Sequence, residues 1–91
     1  MTTPVIDGAE VFELKATHGL PLSISLDIIY NDYKYKIDWV SFIEQARKNK
    51  WWDFQTYEEI ENSLNDAGID KQFSEEILNR IKLYILTNPL K

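Results

Sequence analysis

Cysteine is absent from this chain, so it can form neither a disulfide bond nor a thiolate metal site. Histidine is scarce too: His18 stands alone, and a transition-metal site would need carboxylates alone to complete its ligand set, which disfavours such a site. We therefore expect no metal site and no cofactor. Glycine and proline number three each, and no Gly/Ser-rich linker divides the chain. The length of 91 residues then predicts one domain spanning residues 1–91.

Long hydrophobic runs are also missing. No apolar stretch approaches the ~20 residues that a membrane-spanning helix needs. The first residues, Met1–Pro4, lack the basic and apolar segments of a secretory signal. Together with the lack of cysteine, these features predict a cytoplasmic protein with no membrane association.

Recognisable catalytic patterns are likewise missing. The sequence has no Ser-His-Asp order, no glycine-rich phosphate loop and no His-Glu-x-x-His motif. Its carboxylates, such as Glu58 and Glu75, fall near predicted helix N-termini, where they favour the helix dipole and keep the helix solvated. We expect His18 to be structural and the protein not to be an enzyme.

Charge is biased toward the acidic side. Fifteen acidic residues against ten basic ones give a formal net charge of −5 and a pI of about 4.7. This balance disfavours a dedicated nucleic-acid binder, because such proteins gain affinity by neutralising phosphates. A local basic patch would still allow that role. Hydrophobic residues at 44% and charged residues at 27% indicate an ordinary globular domain.

Helical periodicity dominates the sequence and predicts an all-α fold, a compact array of about five short helices. The predicted helices cover residues 9–17, a segment from Ser23 or Ser25 to about residue 32, residues 39–48, residues 56–67, and a segment from Asp70 or Ser74 to residue 87. The last two, residues 56–87, form a helix pair that completes the core. No internal repeat is expected.

Particular residues mark the helix ends. Gly19 occupies a typical C′ position, and Asp38 is a suitable N-cap for the third helix. Thr56 and Glu59 have the spacing of a capping box, which predicts that the fourth helix begins there. Residues 33–37 read as extended, with two or three residues of strand but no recognisable partner strand.

Two spaced sets of residues stand out in the first half of the chain: Phe12, Leu14, Thr17, His18, Gly19, Leu20 and Pro21, followed by Ile37, Asp38, Phe42, Gln45 and Arg47. Over residues 10–47 this pattern resembles the helical tRNA-recognition region of alanyl-tRNA synthetases. That family carries F-x-L-Y-D-T-[YH]-G-[FLI]-P before a helix and V-D-x-x-x-F after it. The resemblance implies a helical scaffold whose family role is contact with a tRNA acceptor stem. The same residues also suit a purely structural role at helix corners.

The chain departs from the family at two adjacent positions. Ala16 replaces an acidic residue that the resemblance places against the acceptor stem, and Lys15 replaces a tyrosine. A methyl group cannot accept hydrogen bonds from bases, whereas a lysine can contact phosphate. The ATP-binding and zinc-bearing editing signatures of the synthetases are absent.

A cluster of basic and aromatic residues supplies the candidate binding site. Its members are Lys15, Arg47, Lys48, Lys50, Trp51 and Trp52, with Trp51 and Trp52 expected to pack one inward and one half outward. Tryptophan and arginine are enriched at binding hot spots, and aromatics flanked by cations also suit single-stranded nucleic acid.

Two hypotheses for the function follow from the sequence. The first is a non-catalytic interaction module of phage or other mobile origin that binds a protein. The second is an accessory domain that binds tRNA or other RNA.

Overall fold

In a computed structural model, residues 3–89 are described, and they contain five α-helices and one pair of short strands. The helices are α1 (Gly8–Ala16), α2 (Leu22–Leu26), α3 (Trp39–Lys48), α4 (Asp53–Asp66) and α5 (Lys71–Thr87). A π-helical segment, Asp27–Asp32, continues directly from α2. The strands are β1 (Val5–Asp7) and β2 (Lys36–Asp38). The expectation of a mostly helical single domain is thus confirmed.

The strands are parallel, and their register aligns Val5 with Lys36 and Asp7 with Asp38. The strand β2 overlaps the predicted segment 33–37 at residues 36 and 37 only, and its unrecognised partner is β1. Each strand ends in an aspartate that caps the helix after it: Asp7 accepts from the backbone of Ala9, and Asp38 from the backbone of α3. The unit of strand, Ile-Asp and helix therefore occurs twice in the structure.

Gly8 allows the two repeated units to pack closely. Its N–H donates to Ser41 Oγ at 2.8 Å. A Cβ on Gly8 would lie 2.0 Å from the carbonyl oxygen of Asp38 and 2.5 Å from the backbone nitrogen of Phe42. Only glycine lets the start of α1 approach the start of α3 this closely.

Two predicted helix starts were wrong. The fourth helix begins at Asp53 and not at Thr56, because Thr56 Oγ1 donates to the Trp52 carbonyl and the side chain is buried inside the first turn. The second helix begins at Leu22 after Pro21, whose fixed φ suits the helix entry. No serine caps it, and Ser25 lies buried within the helix.

Other helix ends were predicted correctly. Helix α3 spans the expected residues with Asp38 as its cap, and Asp70 caps α5 by accepting from the N–H of Phe73. Gly68, with φ +70°, directly follows the α4 C-cap Ala67, whereas Gly19, with φ +68°, lies two residues after the α1 C-cap Thr17 and so one position beyond the C′ position predicted for it. A left-handed residue is what a helix C′ position favours.

The core lies where α1, α2 and α3 meet α4 and α5. Phe12 is fully buried at its centre, edge-to-face with Phe42 at 5.4 Å and with Trp51 at 5.3 Å between ring centroids. Among the described residues, no helix combines the length and apolar character needed to span a membrane.

Residues that carry the synthetase resemblance make internal contacts in this fold. Thr17 Oγ1 and Gln45 Nε2 both donate to the carboxylate of Glu13, at 2.6 and 2.7 Å. These two hydrogen bonds lower the pKa of Glu13, so its carboxylate is ionised and ties α1 to α3. Ala16 and His18, in contrast, are exposed.

Candidate interaction surface

The predicted basic and aromatic cluster surrounds the turn from α3 to α4. Lys50 adopts φ +65° in this turn, and the N–H of Trp51 donates to the carbonyl of Ala46 at 3.0 Å. The turn sends the Trp51 side chain inward against Phe12, while Trp52 is 64% exposed. One tryptophan therefore packs inward as expected, and the other is more exposed than the expected half-outward position.

Lys15 and Arg47 already have partners within the domain. Lys15 Nζ lies 3.5 Å from Glu59 and 6.0 Å from the centre of the Trp51 ring. The Arg47 side chain is only 9% exposed and donates to both carboxylate oxygens of Asp53, at 2.9 and 3.0 Å. Both cations are thus paired with carboxylates of their own domain.

Arg47 is the centre of a larger polar network. Its guanidinium also lies 3.4 Å from Glu44, whose carboxylate accepts a hydrogen bond from Tyr84. The hydrogen bond to Asp53 raises the pKa of Arg47, and the bond to Glu44 raises the pKa of Tyr84. The network joins α3 to the start of α4 and the end of α5, so Arg47 serves as a structural tie.

Replacing Asp53 with asparagine should destabilise the domain. The substitution keeps the side-chain shape but removes the negative charge and one of the two acceptor oxygens, so Glu44 is the only carboxylate left beside the largely covered guanidinium of Arg47. We expect a loss of about 2 kcal/mol in the free energy of unfolding, less than for a fully buried pair because Asp53 retains some exposure. Urea denaturation followed by circular dichroism measures the change.

The matched control is Glu58→Gln, which replaces an exposed carboxylate on the same helix with a carboxamide. It should change the unfolding free energy by no more than about 0.5 kcal/mol. Equal midpoints for the Asp53→Asn and wild-type proteins would contradict the structural role given to the Arg47 network.

Lys48 and Lys50 are the remaining cations of the predicted cluster. Both are exposed, and within residues 3–89 neither forms an ion pair. The nearest other lysines in the sequence, Lys34 and Lys36, precede α3, whereas Lys48 is its last residue. The two pairs of lysines are therefore separated by the length of a ten-residue helix, about 15 Å. The structure therefore offers two free lysines here rather than a continuous basic patch.

A groove between α4 and the end of α5 was not anticipated from the sequence. It has a volume of about 450 Å³ and apolar walls that include Phe54, Tyr57, Ile85 and Leu86. Phe54 is 68% exposed and Leu86 is 70% exposed. Exposed apolar side chains that meet at a concave surface mark an interaction site more strongly than scattered ones do.

The sequence contained one signal for this groove. Apolar residues run consecutively through the end of α5, as Leu83, Tyr84, Ile85 and Leu86, and so occupy more than one face of the helix. A helix with a single buried face would alternate apolar and polar positions at helical spacing. Ile85 packs partly against the core, whereas Leu83 and Leu86 remain exposed.

The rim of the groove is mainly acidic. Asp53, Glu58 and Glu61 lie on the α4 side, and Lys82 lies on the α5 side. Helix α4 contains five acidic residues and no lysine or arginine. Asp53 is compensated by Arg47, but Glu58, Glu61 and Lys82 have no ion-pair partner in the described part of the chain.

A second depression lies at the other end of α5. Tyr30, Trp39 and Phe73 line it together with Lys36, Glu76 and Arg80. The rings brace one another: Trp39 Nε1 donates to Tyr30 Oη at 3.0 Å, and Tyr30 is edge-to-face with Phe73. Burial raises the pKa of Tyr30 to about 12, so the phenol stays protonated at neutral pH. Through these contacts the three rings hold the π-helical segment against α3 and α5.

Across residues 3–89, no group of three or more acidic or histidine side chains is arranged to hold a metal ion. His18 lines a shallow depression with Glu13 and Gln45, and it is exposed. The chain matches no protein-family model, no curated protein and no solved structure.

Proposed function

We propose that this domain is a non-catalytic interaction module that binds a protein through the groove between α4 and α5. One observation carries the proposal: Phe54 and Leu86, two large apolar side chains, are mostly exposed and line the same concave surface. Covering them would remove apolar area from water, which is the main favourable contribution to protein association.

The neighbouring side chains are suited to a binding surface. The Arg47 network fixes the start of α4 relative to the end of α5, so the two walls are held in place before a partner arrives. A preformed surface loses less conformational entropy on binding than a flexible one. Trp52, exposed immediately before α4, would add a rigid aromatic contact beside the groove.

The same contacts favour protein binding over the RNA hypothesis. Of the four basic residues predicted to hold RNA, Lys15 and Arg47 are paired with carboxylates, and only Lys48 and Lys50 are free. Few phosphate contacts give weak affinity at physiological salt. We propose that the synthetase-like segment supplies a helical scaffold, and that the residues it shares with the synthetase pattern stabilise this fold. A phage or other mobile origin remains part of this proposal.

Affinity purification with three baits tests the proposal. The baits are the wild-type domain, the double variant Phe54→Ser/Leu86→Ser, and the control Tyr33→Ser, which removes another largely exposed aromatic residue, one that lies outside the groove. Extract from the source organism is applied to each, and retained proteins are identified by mass spectrometry. We expect a protein that wild type and control retain and that the double variant loses at least about tenfold, a difference of 1.4 kcal/mol.

Circular dichroism should show all three baits folded, since surface substitutions cost only about 0.5 kcal/mol each. Ribonuclease and high salt then separate protein binding from RNA binding. Retention that resists ribonuclease and high salt supports the protein interaction. Retention that ribonuclease abolishes, or that Lys48→Ala/Lys50→Ala removes, would instead establish RNA binding. Retention unchanged in the double variant would rule out the groove.

A further inference from the structure

The chemistry of the groove specifies its occupant more closely, an inference that rests on the proposed function. We infer that the partner segment is an amphipathic α-helix with an apolar stripe and two lysine or arginine residues along the flank that faces α4.

Both walls of the groove are helices, and neither β1 nor β2 contributes to them. No strand edge is therefore available for pairing with an extended peptide. A third helix that lies between two others can place its apolar side chains into such a groove. The lining residues of α4 run from Asp53 to Glu61, about 12 Å along the helix axis, which matches a partner helix of two to three turns.

The two walls differ in charge. The α4 wall presents Glu58 and Glu61, which have no ion-pair partner within the described chain, on a helix without a single basic residue. The α5 wall presents Lys82. A bound helix with cations toward α4 and an acidic or neutral residue toward α5 would satisfy both walls. A helix with the opposite charges would be repelled from both.

The spacing of the carboxylates sets the spacing of the cations. Glu58 and Glu61 are three residues apart, so they lie one turn apart on the same face of α4. Two cations separated by one turn on the partner would face them. A second copy of this chain is a poorer occupant, because a symmetric pairing of two α4 faces would bring the same unpaired carboxylates together.

Binding of two designed peptides to the intact domain tests this inference. Both peptides are capped, fluorescent amphipathic helices of 14 residues with the same apolar stripe. One carries two lysines on the chosen flank and the other carries two glutamates there. Fluorescence anisotropy at low and at physiological salt gives each affinity. The lysine peptide would form two exposed ion pairs with the α4 wall, whereas the glutamate peptide would be repelled at the same two positions. We therefore expect the lysine peptide to bind about tenfold more tightly, with a smaller difference at higher salt.

Three variants define the outcomes. Glu58→Lys/Glu61→Lys should reverse the preference, Phe54→Ser/Leu86→Ser should abolish binding of both peptides, and Tyr33→Ser should change neither affinity. Equal affinity of both peptides for the wild-type domain overturns the inference. Sedimentation that shows self-association through Phe54 and Leu86 also overturns it, in favour of a second copy.

The extract experiment distinguishes failure of the inference from failure of the proposed function. If the double variant loses its protein partner while the peptides do not discriminate, the groove binds a protein of different chemistry. If neither the partner nor the lysine peptide depends on Phe54 and Leu86, both proposals fail together.

Discussion

Replacing Gly8 with alanine is expected to reduce the free energy of unfolding by about 3 kcal/mol or more. The added Cβ would lie 2.0 Å from the Asp38 carbonyl oxygen, a backbone atom that cannot turn aside as a flexible side chain could. The start of α1 would have to separate from α3, and the hydrogen bond from Gly8 to Ser41 would be lost. Urea denaturation followed by circular dichroism measures the change in midpoint.

Gly68→Ala provides the matched control. Gly68 has φ +70°, but a Cβ there would meet no atom within 4 Å, so the substitution adds backbone strain without a steric clash. We expect a loss of about 1 kcal/mol for Gly68→Ala. A destabilisation of Gly8→Ala no greater than that of Gly68→Ala would show that α1 and α3 are less closely packed than described.

Replacing Phe12 with alanine should have a comparably large effect. The ring is fully buried between Phe42 and Trp51, and its removal would leave a cavity that these two rigid rings cannot close. We expect a loss of about 4 kcal/mol. Since a domain of this length has a total stability of about 5–14 kcal/mol, the variant would be marginally folded at best. Chemical denaturation gives the midpoint, and near-ultraviolet circular dichroism reports the packing of Trp51.

Phe12→Leu retains most of the buried volume and should cost only about 1.5 kcal/mol. Leu14→Ala, on the same helix but partly exposed, should cost less than Phe12→Ala. If Phe12→Ala and Leu14→Ala were equally destabilising, Phe12 would not hold the central position that the aromatic contacts give it.

The sequence predicted those elements whose signals are local. Asp38 has a capping carboxylate directly before an amphipathic run, and Gly19 is followed by a proline that prevents continuation of the helix. Both signals depend on only a few neighbouring residues. The start of the fourth helix was predicted at the wrong residue because Thr56 and Glu59 have the spacing of a capping box. In the folded domain Thr56 is buried and Glu59 is paired with Lys15.

The rest depends on contacts between residues far apart in the chain. The strand at Val5–Asp7 is too short to show a periodic pattern, and only its pairing with Lys36–Asp38 defines it. The basic cluster is contiguous in sequence, yet folding pairs Arg47 with Asp53 and Lys15 with Glu59. The groove was missed for the same reason, because Phe54 and Leu86 are 32 positions apart and line one groove only in the folded domain.

The register of the two parallel strands also constrains the order in which the domain can assemble. Paired residues of β1 and β2 lie 31 positions apart, and α1 packs against α3, which ends at Lys48. During synthesis α1 therefore has no α3 to pack against until the first half of the chain has emerged. A nascent chain arrested before α3 should be digested rapidly by protease, whereas one that extends through α5 should resist it.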